Sequence, residues 1–181
     1  MQHRWKPNVT VAAVIEHGGK FLLVEEHTSD GLRLNNPAGH LDPGESLVDA
    51  CVRETLEETA YVFRPTALVG VYLSRSQRPS GGQAKPNPVT YLRFAFCGEL
   101  GDLQPRRRLD HGIVRTLWMT AQEIRASAAL HRSPLLLHCV EDYVAGARFP
   151  LGMLSADLGV GPAQGLDGNV PREDPPPSGQ R

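Results

Sequence analysis

The sequence predicts an α/β or α+β fold built on a mixed β-sheet. Two observations lead there. Segments of strand character alternate along the chain with segments free of Pro and Gly that suit helices. The chain has 181 residues, 40% of them hydrophobic, which is enough for one domain with a proper core and little more.

In chain order, residues 9–15 form an apolar run of buried-strand type. His17-Gly18-Gly19-Lys20 is a turn, and residues 21–26 read as the return strand of a hairpin with the first. Residues 27–45 hold Pro37, Gly39, Pro43 and Gly44 and read as loop. Residues 46–59 lack Pro and Gly, and Ser46 or a neighbour can cap a helix there. A strand is expected at residues 66–73, then a mobile loop at 75–88 with three Pro and two Gly. Residues 89–97 alternate, with Leu92, Phe94 and Phe96 on one face and Tyr91, Arg93, Ala95 and Cys97 on the other. A further strand is expected at residues 113–119. Thr120-Ala121-Gln122-Glu123 is a capping box opening a helix, and Ser133-Pro134 opens another, with Gly146 as its stop. The domain is expected to occupy residues 5–154. Residues 155–181, with five Gly and five Pro, are expected to be a disordered tail.

Several functions are disfavoured at the outset. Lys plus Arg is 19 and Asp plus Glu is 20, so there is no basic excess of the kind a dedicated nucleic-acid binder needs. No apolar run approaches the roughly 18 residues of a membrane span, and the N-terminus has no apolar signal core. Cys51, Cys97 and Cys139 are scattered, which fits free thiols in a reducing cytoplasm better than a zinc site.

The informative segment runs from Gly39 to Glu58. On a helix, Glu54, Glu57 and Glu58 stand at i, i+3 and i+4 and share one face. Each like-charged pair at that spacing costs roughly 0.2–0.5 kcal/mol. Anions near a helix C-terminus cost about 0.3–1 kcal/mol each through the dipole. A solvated helix face is the ordinary explanation of an acidic triplet. Here, however, Gly39, Glu45 and Arg53 stand at fixed offsets around it. A hard divalent cation, Mg²⁺ or Mn²⁺, would relieve the crowding and bridge to phosphate oxygens. Arg53 suits a two-bond pairing with Glu45 that pins the glycine loop to the helix. Gly39 lets the backbone approach the ion, so that its carbonyl could be a ligand.

This segment resembles the Nudix box: Gly, five residues, Glu, seven residues, Arg-Glu, an aliphatic residue, any residue, Glu-Glu, any residue, Gly, and an aliphatic residue. The chain carries Gly39, Glu45, Arg53, Glu54, Glu57 and Glu58 at those positions and departs at Thr55, Ala60 and Tyr61. Ala60 stands where the box has its last Gly, and Ala in a left-handed cap costs about 1 kcal/mol. Lys6 to Ala12, Gly19 to Leu22, Asn36 to Leu41, Leu92-Arg93-Phe94 and Arg132 to Leu135 resemble the bacterial phosphatase NudJ subgroup of the family.

The resemblance implies a Nudix fold, an α/β/α sandwich with a mixed sheet and a catalytic loop and helix. It also implies hydrolysis of a diphosphate linked to another moiety. Within it, Glu57 and Glu58 are metal ligands, assisted by the Gly39 carbonyl. Glu54 is a further ligand or the general base, with Arg53 and Glu45 completing the catalytic unit. Asp110, where many relatives carry an acid, is a further candidate. Arg93, which interrupts an apolar strand, and His40, in the box loop, are candidate substrate contacts. The implied substrates are nucleoside tri- and diphosphates and thiamine-pathway diphosphates (hydroxymethylpyrimidine diphosphate and thiamine diphosphate). A Nudix pyrophosphatase acting on ADP-ribose or a dinucleotide is the alternative within the family. A catalytically silent nucleotide-binding regulatory module is the alternative outside enzymes, and the intact set of acids favours the enzyme. The expected partner is a small-molecule phosphoanhydride, without nucleic acid or membrane, and the chain is expected as a monomer or homodimer.

Overall fold

The computed structural model describes residues 5–76 and 89–158. Most of the loop expected at 75–88, and the tail from residue 159 on, lie outside the described residues. Nine strands and three α-helices are formed in the order β1 (Asn8–Val14), β2 (Glu16–His17), β3 (Lys20–Thr28), β4 (Gly31–Asn35), β5 (Ala38–His40), α1 (Leu47–Thr59), β6 (Tyr61–Ser76), β7 (Val89–Leu103), β8 (Ile113–Met119), α2 (Ala121–Ala126), α3 (Leu135–Val144) and β9 (Phe149–Pro150) among the described residues.

The strands make two sheets. The five-stranded sheet runs β5-β1-β7-β6-β9. It is mixed, because β1 and β7 are parallel while the other pairs are antiparallel. The second sheet is antiparallel, with β3 flanked by β2 and β4 and also by β8. The hairpin expected between residues 9–15 and 21–26 is therefore corrected. Gly18 and Gly19, both at positive φ, close only the short β2–β3 hairpin, while β1 belongs to the other sheet. The loop expected over 27–45 is corrected as well, since it contains β4 and β5.

Alternation along β1 and β7 explains the layering. Val11, Ala13, Ile15 and Phe96 face a core with Ala50 and Cys51 of α1, whereas Ala12, Val14, Ala95 and Cys97 face a core with Leu136, Cys139 and Val140 of α3. Helices thus cover both faces of the mixed sheet. Small residues at 50 and 51 let α1 lie close to it. Burial holds the Cys51 thiol well above the ordinary cysteine range, so this residue packs and does not serve as a nucleophile.

Both predicted caps are formed. The Ser46 hydroxyl accepts from the Asp49 N–H at 3.1 Å, and Thr120 and Glu123 bond reciprocally as a capping box. Ala60 ends α1 at φ 58°, the left-handed geometry for which the box has glycine.

Candidate active site

The box loop and α1 meet where the sheet edge strand β5 passes beneath the helix. Arg53 is the hub. Its Nε donates to Glu45 Oε2 at 2.9 Å and its Nη2 to Glu45 Oε1 at 2.6 Å, the two-bond pairing expected from the sequence. Nη2 also donates to the His40 carbonyl at 2.9 Å, which ties β5 to the helix. Nη1 donates to Glu54 Oε1 at 2.8 Å and Glu57 Oε2 at 3.1 Å. One guanidinium therefore fixes the loop and orients two of the three acids. The pairing holds the Glu45 carboxyl below its ordinary range, and the same hydrogen bonds hold Arg53 charged.

Glu58 points the other way. Its Oε2 accepts from the Ala38 N–H at 2.8 Å, and the residue is 9% exposed. Burial, reinforced by Glu26, Glu54 and Asp110, pushes its carboxyl up to about 8. Burial also raises Glu54, against the pull of Arg53. No basic residue stands in the last turn of α1. The acids are thus crowded and partly desolvated, with Arg53 shared by Glu54, Glu57 and the loop residue Glu45. Among the described residues, no three acid or His side chains already converge as an ion cage. Glu54 and Glu57 are turned onto Arg53, and Glu58 onto Ala38. The donor set, carboxylates beside a backbone glycine, still fits a hard divalent cation. A cation would remove the charge that burial penalises.

Gly39 has a steric reason. A Cβ there would lie 2.0 Å from the Glu54 carboxyl carbon, so a side chain at 39 and the carboxyl of Glu54 exclude each other. Gly39→Ala is expected to lower turnover by about 10–100-fold, as displacement of a positioned ligand does. The thermal midpoint should barely move, because Glu54 is a flexible chain that can swing out. Steady-state kinetics beside a melting curve checks both.

A cleft of about 470 Å³ opens beside this cluster, with Gly39, Glu54 and Glu58 on one side. His40 and Arg93 line it too. Glu45, Arg53, Glu57 and Asp110 do not, although Asp110 docks beside the acids through its N–H to the Glu57 carbonyl at 3.0 Å. Trp5 is 64% exposed, and Arg106, Arg107 and Arg108 form a solvated loop. Sequence reasoning missed Glu26, Asn35 and Thr10, all in the cleft wall. Glu26 is ion-paired with Arg132 and accepts from Asn35 Nδ2 at 3.2 Å. An acid pair inside the second half of β3, Glu25-Glu26, is the available signal. Thr10 offered none, since a threonine in a strand is ordinary.

Comparison with known proteins shows the family and the fold. A NUDIX domain profile matches residues 5–139. Phosphatase NudJ of Escherichia coli K12 is 37% identical over 150 residues, which cover 83% of this chain and 92% of that protein. A solved structure described as a NUDIX hydrolase from Nitrosomonas europaea is 51% identical with a TM-score of 0.76, covering 85% of this chain and 99% of that one. A UDP-X diphosphatase structure shares the fold at 20% identity and a TM-score of 0.60, covering 82% of this chain and 68% of that one. The matched residues contain the loop pinned by Arg53, Gly39 and the acids on α1, and the chain belongs to the Nudix hydrolase family.

Proposed function

We propose that the protein is a Mg²⁺-dependent phosphatase. It would hydrolyse phosphoanhydride bonds in nucleoside tri- and diphosphates and in thiamine-pathway diphosphates, giving the monophosphate and phosphate: one water and one phosphate for a diphosphate, two of each for a triphosphate. The observation carrying this reading is the set of partly desolvated carboxylates on α1, two of them clamped by Arg53, beside a cleft of substrate size. Similarity to Phosphatase NudJ supports the phosphatase reaction.

Glu57, Glu58 and the Gly39 carbonyl would hold Mg²⁺, with Mn²⁺ as the alternative ion. When bound, the ion supplies charge neutralisation at the phosphate oxygens and a more acidic water. Glu54 either joins that ligand set or accepts, on a carboxylate oxygen, the proton lost by the attacking water. Arg53 holds Glu54 and Glu57 in register, and Glu45 holds Arg53. The ligand of the cleft is a small anionic molecule. Three buried free thiols are compatible with a reducing cytoplasm.

The test is product analysis across a panel: orthophosphate release from nucleotides and thiamine-pathway diphosphates, and nucleoside monophosphate formation from ADP-ribose and a dinucleotide, whose cleavage frees no orthophosphate. Release from the first two classes with Mg²⁺, and its loss in chelator, is expected. Activity that persists in chelator, or that is confined to ADP-ribose or dinucleotides, would reject the reading.

A further inference from the structure

The cleft has a second, oppositely charged end. On the face of the mixed sheet that packs against α3, the row Ala12–Ala95 gives way, one step along the parallel pairing, to Thr10–Arg93. The apolar row thus ends in a buried cation. Arg93 is only 7% exposed, and both its Nε and its Nη1 lack a hydrogen-bond partner; so does the Thr10 hydroxyl beside it. A buried guanidinium left unpaired is strongly destabilising.

The groups around Arg93 do not neutralise it. Glu26 directs its oxygens to Arg132 and Asn35, and Asp142 accepts from the Tyr72 hydroxyl at 2.8 Å. Cys139 touches Arg93, but burial pushes its thiol up to about 11, so it stays protonated. A second positive element faces the same space. Ser133, Pro134 and Leu135, at the amino end of α3, line the cleft, and no side chain caps that end. A helix amino end carries partial positive charge and free N–H groups.

We propose that Arg93 is a specificity-determining residue that, with Thr10 and the amino end of α3, receives the terminal phosphoryl group of the substrate. This deepens the reading given above and rests on it. A phosphate chain that ends free carries a second negative charge on its last group near pH 7. A pyrophosphate esterified at both ends lacks it. The buried, unpaired cation therefore favours free-ended di- and triphosphates over ADP-ribose and dinucleotides.

Orthophosphate is the simplest probe of this end of the cleft. In chelator, it should raise the melting temperature of the wild type, fail to do so for Arg93→Met, and keep part of the effect for Arg93→Lys. With Mg²⁺, kcat/KM for ADP should fall about 10–100-fold in Arg93→Met, the size expected for loss of a charge-assisted hydrogen bond. The loss for ADP-ribose should be smaller, so the preference for ADP drops by about tenfold. Undiminished phosphate protection in Arg93→Met, or equal losses on both substrates, would overturn the assignment. Should Arg93→Met fail to fold, Thr10→Val must weaken phosphate protection, and undiminished protection in that variant overturns it. A wild type that hydrolyses nothing in the panel defeats the proposed reaction alone, because phosphate protection still decides the role of Arg93.

Discussion

Glu57→Gln should lower the rate of orthophosphate release by at least about a hundredfold, the scale seen when positioned charge is removed from a phosphoryl-transfer site. The fold should be untouched. Glu57 lies at the helix surface and makes one side-chain bond, to Arg53 Nη1 at 3.1 Å, which the amide oxygen of glutamine can accept as well. The variant therefore changes charge and little else. Melting curves that superimpose on the wild type, beside a collapsed kcat, are the expected pair of results. Full activity would show that the charge on Glu57 has no part in the chemistry.

Glu58→Gln should abolish turnover and yet stabilise the metal-free protein at neutral and alkaline pH. The carboxyl is raised from an ordinary 4.5 to about 8, chiefly by burial. Between those two values the folded protein holds a proton that the unfolded chain has released. Stability of the metal-free wild type therefore falls as pH rises across that window, by up to about 1.4 kcal/mol per unit. It is full below pH 4.5 and is lost as pH climbs through 8. Glutamine keeps the bond from the Ala38 N–H and removes the titration. Melting temperatures taken in chelator from pH 5 to 9 should slope downward for the wild type and run flatter for the variant. Parallel slopes would mean that the carboxyl is not held in its neutral form.

The site was more legible in the sequence than the strands were. The spacing of Arg53, Glu54 and Glu57 encodes their meeting directly, because helix geometry brings i, i+1 and i+4 within reach of an arginine, whereas Glu45 and Gly39 arrive through the loop and Glu58 turns to the Ala38 N–H. The strand errors share a physical cause. Gly18 and Gly19 signal a turn, but local sequence does not say that Ile15 is where the chain leaves one sheet for the other. β4 and β5 are short, and β5 is an edge strand, where Pro37 and Gly39 are tolerated nearby because one side makes no ladder. β6 begins at Tyr61 rather than 66 because register shifts around Pro65 keep it paired with β7. The Arg93 end of the cleft was half legible. A cation in an apolar strand stands out, but its lack of a partner is a tertiary property, set by what α3 and β3 bring beside it.

The carboxylates of α1 are expected to cradle a divalent cation. Crystals soaked in MnCl₂ and measured at the manganese edge test it most directly. An anomalous peak is expected in contact with Glu57 and Glu58, with Glu57 turned away from Arg53 to reach it. No peak there, with Glu54 and Glu57 still bonded to Arg53 and Glu58 to the Ala38 N–H, would contradict it.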